Sequence, residues 1–226
     1  MSTADGMNWS EQFQWREKIH RQYPEIWDLK ILRKRFPLML QILRDGQKVL
    51  DIGASHRSLE ERLKGYYPNL IYKSMDVDRR QFHDFYSLEE IQEPFDVVFL
   101  LDVIEHLEVE EGVNLIQRVY HLINAGGGLI LTTPNIFNPS RFWRDVSHKA
   151  AYCYDELGGI LIAQGFHING MYRTYSDALH RYLLRVYVMA PLHRYLGVDF
   201  AKSILIVAEK RLNENDEKDA SDRQRG

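Results

Sequence analysis

The chain has 226 residues, 45% hydrophobic and 27% charged, enough for one sizeable α/β domain with additions. Its formal charge of −3 lacks the marked basic excess of a dedicated nucleic-acid binder, so no nucleic-acid partner is expected. One cysteine, Cys153, excludes a disulfide framework and a Cys-rich zinc site. It fits a reducing, cytoplasmic setting, and no metal site is expected. The first ten residues carry no basic-then-apolar signal pattern. No run of about 18 apolar residues occurs, so no transmembrane helix is expected.

Residues 1–8 are small and polar and read as a loose end. From Trp9 to about Leu43, apolar residues recur at helical spacing (Ile26, Leu29, Leu32, then Leu38 and Ile42). This predicts two or three helices, interrupted at Pro24 and Pro37, and makes 1–46 an N-terminal helical extension. Residues 47–52 form an apolar run ending in D-I-G, the first strand. A helix over 59–64 follows, closed by Gly65. Strands are predicted at 70–76 and, shorter, at 82–85. The continuous apolar run F-D-V-V-F-L-L at 95–101 suits a buried parallel strand. A helix over 109–124 is stopped by A-G-G-G, and a strand over 129–133 ends at Pro134-Asn135. Beyond it lie a helix at 154–164, a strand at 167–172, a helical insert within 177–197 broken at Pro191, and a last strand at 203–209. The domain proper is 47–212. The charged, apolar-poor residues 213–226 read as a disordered tail. Strands alternating with helices predict an α/β fold with an open, doubly wound, mostly parallel seven-stranded sheet.

In such sheets ligands bind beyond the C-terminal ends of the strands. Those ends carry an ordered set of residues. Asp51 and Gly53 follow the first strand and Asp76 the second. Asp84 and Phe85 follow the third. Asp102 follows the fourth, with Glu105-His106-Leu107 beyond it, and Thr133-Pro134-Asn135 follows the fifth. Gly53 lets the backbone turn sharply and touch a ligand. Asp76, 25 residues after Asp51, can accept hydrogen bonds from ribose hydroxyls. Asp84 can accept from an adenine amino group while the Phe85 N–H meets a ring nitrogen. A lone aspartate in such a loop is more often a helix N-cap, but several in this order favour a ligand.

The runs K-V-L-D-I-G-A, Y-K-S-M-D-V-D, F-D-V-V-F-L-L-D-V-I-E-H-L and G-G-G-L-I-L-T-T-P-N resemble the class I S-adenosylmethionine-dependent methyltransferases. Within these they are most similar to the bacterial small-molecule branch with an E-H-[LI] motif after the fourth strand. The resemblance covers about 48–166 and the last strand, and implies a Rossmann-like sheet with a reversed final hairpin. It also implies S-adenosylmethionine as cofactor. Asp51, Gly53 and Ala54 would face its methionine half, Asp76 its ribose, Asp84 and Phe85 its adenine, and Asp102 the region beside the sulfonium. The chain departs from the family's D-x-G-x-G-x-G, because Ser55 and Arg57 stand where the second and third glycines do. The Ser55 hydroxyl can itself donate to the ligand, and His56 and Arg57 offer cations for the cofactor carboxylate. Ser58-x-x-Glu61 fits a capping box.

Methyl transfer needs an acceptor held in line and sometimes a general base. His148 and His106 are the catalytic candidates, the first on a loop expected to overhang the pocket, the second fixing the loop after the fourth strand. Phe142 and Trp143 could wall the acceptor site. In the insert, Leu179, Tyr182, Leu183, Val186, Tyr187 and Ala190 share a helical stripe. It suits packing on the sheet edge, a lid, or peripheral membrane contact through 178–190. The acceptor expected is a small molecule, glycan or lipid-linked compound, methylated on oxygen or nitrogen. The competing reading is a catalytically impaired methyltransferase-like binding protein. A nicotinamide oxidoreductase would want G-x-G-x-x-G where 53–58 read G-A-S-H-R-S.

Overall fold

The computed structural model describes residues 9–212; the expected loose end at 1–8 and disordered tail at 213–226 lie outside them. The strands are β1 (Lys30–Leu32), β2 (Lys48–Ile52), β3 (Ile71–Met75), β4 (Phe95–Leu101), β5 (Ile123–Pro134), β6 (His167–Thr174) and β7 (Ser203–Glu209). They form one seven-stranded sheet in the order β1-β6-β7-β5-β4-β2-β3. β7 runs antiparallel between β5 and β6, and the other pairings are parallel. This is the doubly wound, mostly parallel sheet that the alternation of elements predicts, with the reversed last strand that the resemblance implies.

The middle of the sheet is covered on both faces, which explains the unbroken apolar run of β4. Val98 and Leu100 of β4 point into one core with Leu50 and Leu131, against α4 (Val109–Leu122), α6 (Tyr154–Ala163) and Ile19 of α1 (Trp9–Gln22). Val97 and Phe99 point into the other, with Val49, Ile130 and Leu205, against Met39 of α2 (Arg35–Ile42) and Leu63 of α3 (Ser58–Lys64). α1 lies directly on α6 because Gly158 and Gly159 present no side chains there. A Cβ on Gly159 would stand 2.8 Å from the Arg16 backbone nitrogen. The Arg16 Nε–Asp155 pair at 3.0 Å closes the contact.

Several expectations change. The strand count holds, but its membership does not. Residues 82–85 contribute a single bridge, Met75 to Phe85, rather than a strand. The seventh strand is β1, in the segment expected to be helical, paired with β6 from Lys30 opposite Tyr172 to Leu32 opposite Thr174. A three-residue strand has no periodicity of its own, so its partner decides its state. Pro37 does not interrupt a helix. It sits in the first turn of α2, where its missing N–H has no intrahelical partner to lose. The A-G-G-G run after α4 is drawn into β5 through an irregular register beside Phe95 and Val97 instead of forming a loop.

The capping box at Ser58 is not formed, because Arg57 is the N-cap of α3 and Ser58 its first residue. After the short helix α5 (Pro139–Phe142) and α6, the insert divides into α7 (Leu179–Leu183), a π turn (Leu184–Val188) and α8 (Ala190–Leu196). Pro191 lies in the opening turn of α8, so it starts a helix rather than ending one. Among the described residues no helix is long and apolar enough to cross a membrane.

Candidate functional site

β2 lies between β3 and β4. The chain therefore leaves β2 toward one edge and returns on its other side as β4, and the crevice of a doubly wound sheet opens at this reversal. Gly53 ends β2 with φ +74°, and its N–H donates to the Met75 carbonyl at 2.8 Å. A Cβ at Gly53 would lie 2.4 Å from Cγ2 of Val103, just past the end of β4. The two strand ends are that close, so position 53 excludes any side chain.

Ser55 (φ +47°) and Arg57 (φ +53°) both adopt the left-handed conformation that glycine holds without strain. Each costs about 1–2 kcal/mol, and the surroundings enforce both. The Ser55 N–H donates to Asp76 Oδ2 at 2.9 Å, and the Asp78 N–H donates to the other Asp76 oxygen at 2.9 Å. The Arg57 guanidinium reaches Asp84 at 2.8 Å, Ser74 Oγ at 2.8 Å and Glu60 at 2.9 Å. Ser55→Gly relieves the strain but adds chain entropy to the unfolded state. It should raise unfolding free energy by roughly 0.5–1 kcal/mol in urea titration. A loss of stability would show that the serine hydroxyl, not its backbone, carries the turn.

A cleft of about 510 Å³ opens over this turn. Four of the expected cofactor residues line it: Asp51, Gly53, Ala54 and Ser55. Asp76, Asp84, Phe85 and Asp102 are not among the lining residues, and Asp76 is tied to the cleft only by accepting from the Ser55 N–H. Asp51 is buried and accepts from the Tyr72 hydroxyl; burial pushes its carboxyl up to about 6 against that hydrogen bond. Asp102, at φ +56°, accepts from Thr132 Oγ1 at 2.9 Å and from Arg35 at 2.9 Å. Arg35 comes from the N-terminal extension and lines the cleft with Lys34, Phe36 and Arg62.

The expected adenine contacts are rearranged. The Phe85 N–H donates to the Ser74 carbonyl at 3.1 Å, so it is not free to meet a ring nitrogen. Asp84 accepts from the Ser74 N–H, Lys73 and Arg57 at 2.8–3.0 Å. Burial would raise its carboxyl, but these donors outweigh it and hold the group below the usual range. Arg57 is equally committed and His56 is exposed. Neither replaces the cations that line the cleft, Lys34, Arg35 and Arg62. Asn135, at the end of β5, is buried and turned to Asp199 at 2.9 Å.

The two candidate histidines do meet. His106 ends a 3-10 turn (Ile104–His106), and His148 lies on the loop after α5. Their ring centroids are 4.8 Å apart. Phe142 is buried beside His148, with centroids 5.1 Å apart, whereas Trp143 is 81% exposed and packs edge-on against Phe142. Between the strand end and the histidines sits Glu105, fully buried; among the described residues neither carboxylate oxygen has a hydrogen bond of good geometry, although the nearby Thr133 hydroxyl favours its charged form. Burial pushes its carboxyl up to about 8. Sequence reasoning gave Glu105 no role and missed Lys34 and Arg35. The only written signal for the latter is the basic run R-K-R at 33–35.

No protein-family model and no curated protein matches the chain. Solved structures do match in fold. A S-adenosylmethionine-dependent methyltransferase from Archaeoglobus fulgidus superposes with a TM-score of 0.61 at 16% identity, covering 90% of this chain and all of that one. Haemonchus contortus phosphoethanolamine N-methyltransferase 2, bound to S-adenosyl-L-methionine, gives 0.52 at 17% identity, covering 78% of this chain and 53% of that one. The [4+2]-cyclase SpnF gives 0.55 at 14% identity, covering 78% and 80%. At these identities the likeness is one of fold: the Rossmann-like class I methyltransferase sheet. SpnF is a reminder that the fold alone does not choose the reaction.

Proposed function

We propose that this chain is a S-adenosylmethionine-dependent methyltransferase acting on a small-molecule, glycan or lipid-linked acceptor. The observation that carries the reading is the left-handed turn from Gly53 to Ser55, held by Asp76 at the point where strand order reverses. It joins a glycine that leaves the backbone bare to an acid placed for a ribose. Asp76 already accepts two backbone N–H groups, but each carboxylate oxygen has a second lone pair for a hydroxyl. Asp51, Gly53, Ala54 and Ser55 would hold the methionine half, with Arg35 as the cation for its carboxylate. Asp102 would lie beside the sulfonium. Asp84 shapes the turn through Arg57 rather than touching the adenine.

The cofactor supplies an activated methyl group. The chain's part is to align the acceptor and exclude water. His148 is assigned to the acceptor, as contact or base, and His106 to the loop that carries it. The lipid-linked acceptor is favoured by one feature. Leu179, Leu183, Leu184, Tyr187 and Val188 of the insert are all exposed, with Arg181 among them. Such an exposed apolar stretch with a cation within it suits peripheral membrane contact.

Calorimetric titration with S-adenosylmethionine and S-adenosylhomocysteine tests the reading. Both should bind, and Asp76→Ala and Arg35→Ala should each weaken binding at least tenfold, about 1.4 kcal/mol. No binding near about 1 mM, with Asp76→Ala indistinguishable from wild type, would remove the reading. Labelled S-adenosylmethionine added with soluble and membrane extracts then reads the acceptor. Binding without any labelled product would favour the impaired, binding-only protein.

A further inference from the structure

We infer that Glu105, His106 and His148 form a binding site for a divalent first-row transition ion. A carboxylate oxygen of Glu105 and one ring nitrogen of each histidine lie within 4.8 Å of one another. A carboxyl group with no exposed surface and, among the described residues, no hydrogen-bond partner of good geometry stays ionised only if a cation compensates it, and otherwise keeps its proton. A cation shared with two imidazoles compensates it directly.

The surroundings are built for that role. The Glu105 carbonyl accepts from the Lys149 N–H at 2.7 Å and the Ala150 N–H at 3.2 Å. These bonds clamp the His148 loop onto the turn that carries the other two residues. Both imidazoles are oriented through Nδ1. His148 Nδ1 stands 2.8 Å from the Phe142 carbonyl, which only accepts, so that nitrogen carries the proton. Ser147 Oγ gives its single proton to Asp145 at 2.6 Å. It must therefore accept from His106 Nδ1 at 3.0 Å. Each ring is left with an Nε2 lone pair, and metal-binding histidines are oriented by just such outer hydrogen bonds. Asp145 Oδ2, 3.9 Å from His148 Nε2, adds negative charge at the rim.

Two imidazoles and one carboxylate suit Zn²⁺, Mn²⁺, Fe²⁺ or Co²⁺ and leave coordination positions open. In the methyltransferase reading, on which this step rests, His148 serves as a ligand and not as the base, and an open position takes an acceptor hydroxyl. The bound hydroxyl is more acidic and releases its proton to solvent. Its oxygen then forms the O–C bond to the methyl carbon as the S–C bond breaks. The electron pair of that bond stays on sulfur, leaving a neutral thioether.

The full chain, stripped with a chelator, is titrated with Zn²⁺ and Mn²⁺ by calorimetry and with Co²⁺ by visible absorption. One ion per chain is expected. Glu105→Gln, His106→Ala and His148→Ala should each weaken it by at least about tenfold, while His121→Ala, exposed on α4, changes nothing. In wild type, Co²⁺ should shift the ring-proton resonances of two histidines and no others, a readout that does not depend on any variant folding. No saturable binding overturns the site, as does binding that survives both Glu105→Gln and His148→Ala. Titration with S-adenosylmethionine separates the two claims. Metal binding without cofactor binding removes the methyltransferase reading alone, and the converse removes the metal alone.

Discussion

Asp199→Ala should cost the fold about 3–5 kcal/mol, the largest loss expected from any single polar substitution described above. Asp199 is 1% exposed and joins three elements. It accepts from Arg173 at 3.3 Å on β6, from the Tyr175 hydroxyl at 2.9 Å just beyond it, and from Asn135 at 2.9 Å at the end of β5. Arg173 and Asn135 are themselves buried. Truncation leaves a guanidinium, a hydroxyl and an amide without their acceptor in a low-dielectric interior, where unpaired charge is most expensive. For a chain of this size the midpoint of thermal unfolding should fall by roughly 6–20 °C. The double variant Arg173→Met/Asp199→Leu should recover part of the loss, because no buried charge is left unpaired, while the Tyr175 hydroxyl still lacks its acceptor and Asn135 keeps only the Ala201 carbonyl. A single variant within about 1 kcal/mol of wild type would show that water already satisfies the cluster. The network also fixes Tyr175, and next to it Ser176, which lines the cleft.

That network marks where sequence reading stops. Asn135 was legible as a strand-end residue, but its partner lies 64 positions away across the insert. No local pattern connects them. The buried strands were legible because burial on both faces writes itself as an uninterrupted apolar run, as in F-D-V-V-F-L-L. The helix α4 was legible from Leu115, Val119 and Leu122 on one face. The strand β1 was not. Its residues K-I-L are too few for a period, and Ile26, Leu29 and Leu32 imitate a helix. The site divides the same way. The positions of Asp51, Gly53 and Asp76 follow from strand ends, which composition and turns mark. The neighbours of Asp84 do not, because Arg57 reaches back from α3 only once its own backbone is held left-handed. Arg35 was hidden by the misread extension. Glu105 was hidden because a buried, unpaired carboxylate looks in sequence like any exposed one.

Gly53→Val tests the strand-end geometry most severely. At φ +74° a β-branched residue carries about 1–2 kcal/mol of backbone strain. Its Cβ also meets Val103 Cγ2 at 2.4 Å, well inside contact. Val103 has no flexible end to swing away, since its branch is at Cβ. Overpacking of this kind adds about 1–3 kcal/mol, for a total near 2–5 kcal/mol. The two contributions can be separated. Gly53→Ala keeps the backbone strain and the first clashing atom. Gly53→Ala combined with Val103→Ala keeps the strain and removes the methyl that is struck. A double-mutant cycle in urea should therefore show the pair less destabilised than the sum of the singles, by about 0.5–3 kcal/mol. Additive losses would mean that the turn moves away from β4 when Gly53 is replaced. Cofactor titration of the same pair carries the functional half. If the bare backbone at 53 is what a ligand approaches, Val103→Ala restores stability to Gly53→Ala without restoring affinity, because the added Cβ still stands at the cleft. Full recovery of affinity together with stability would assign Gly53 to packing between β2 and β4 and remove it from the binding surface.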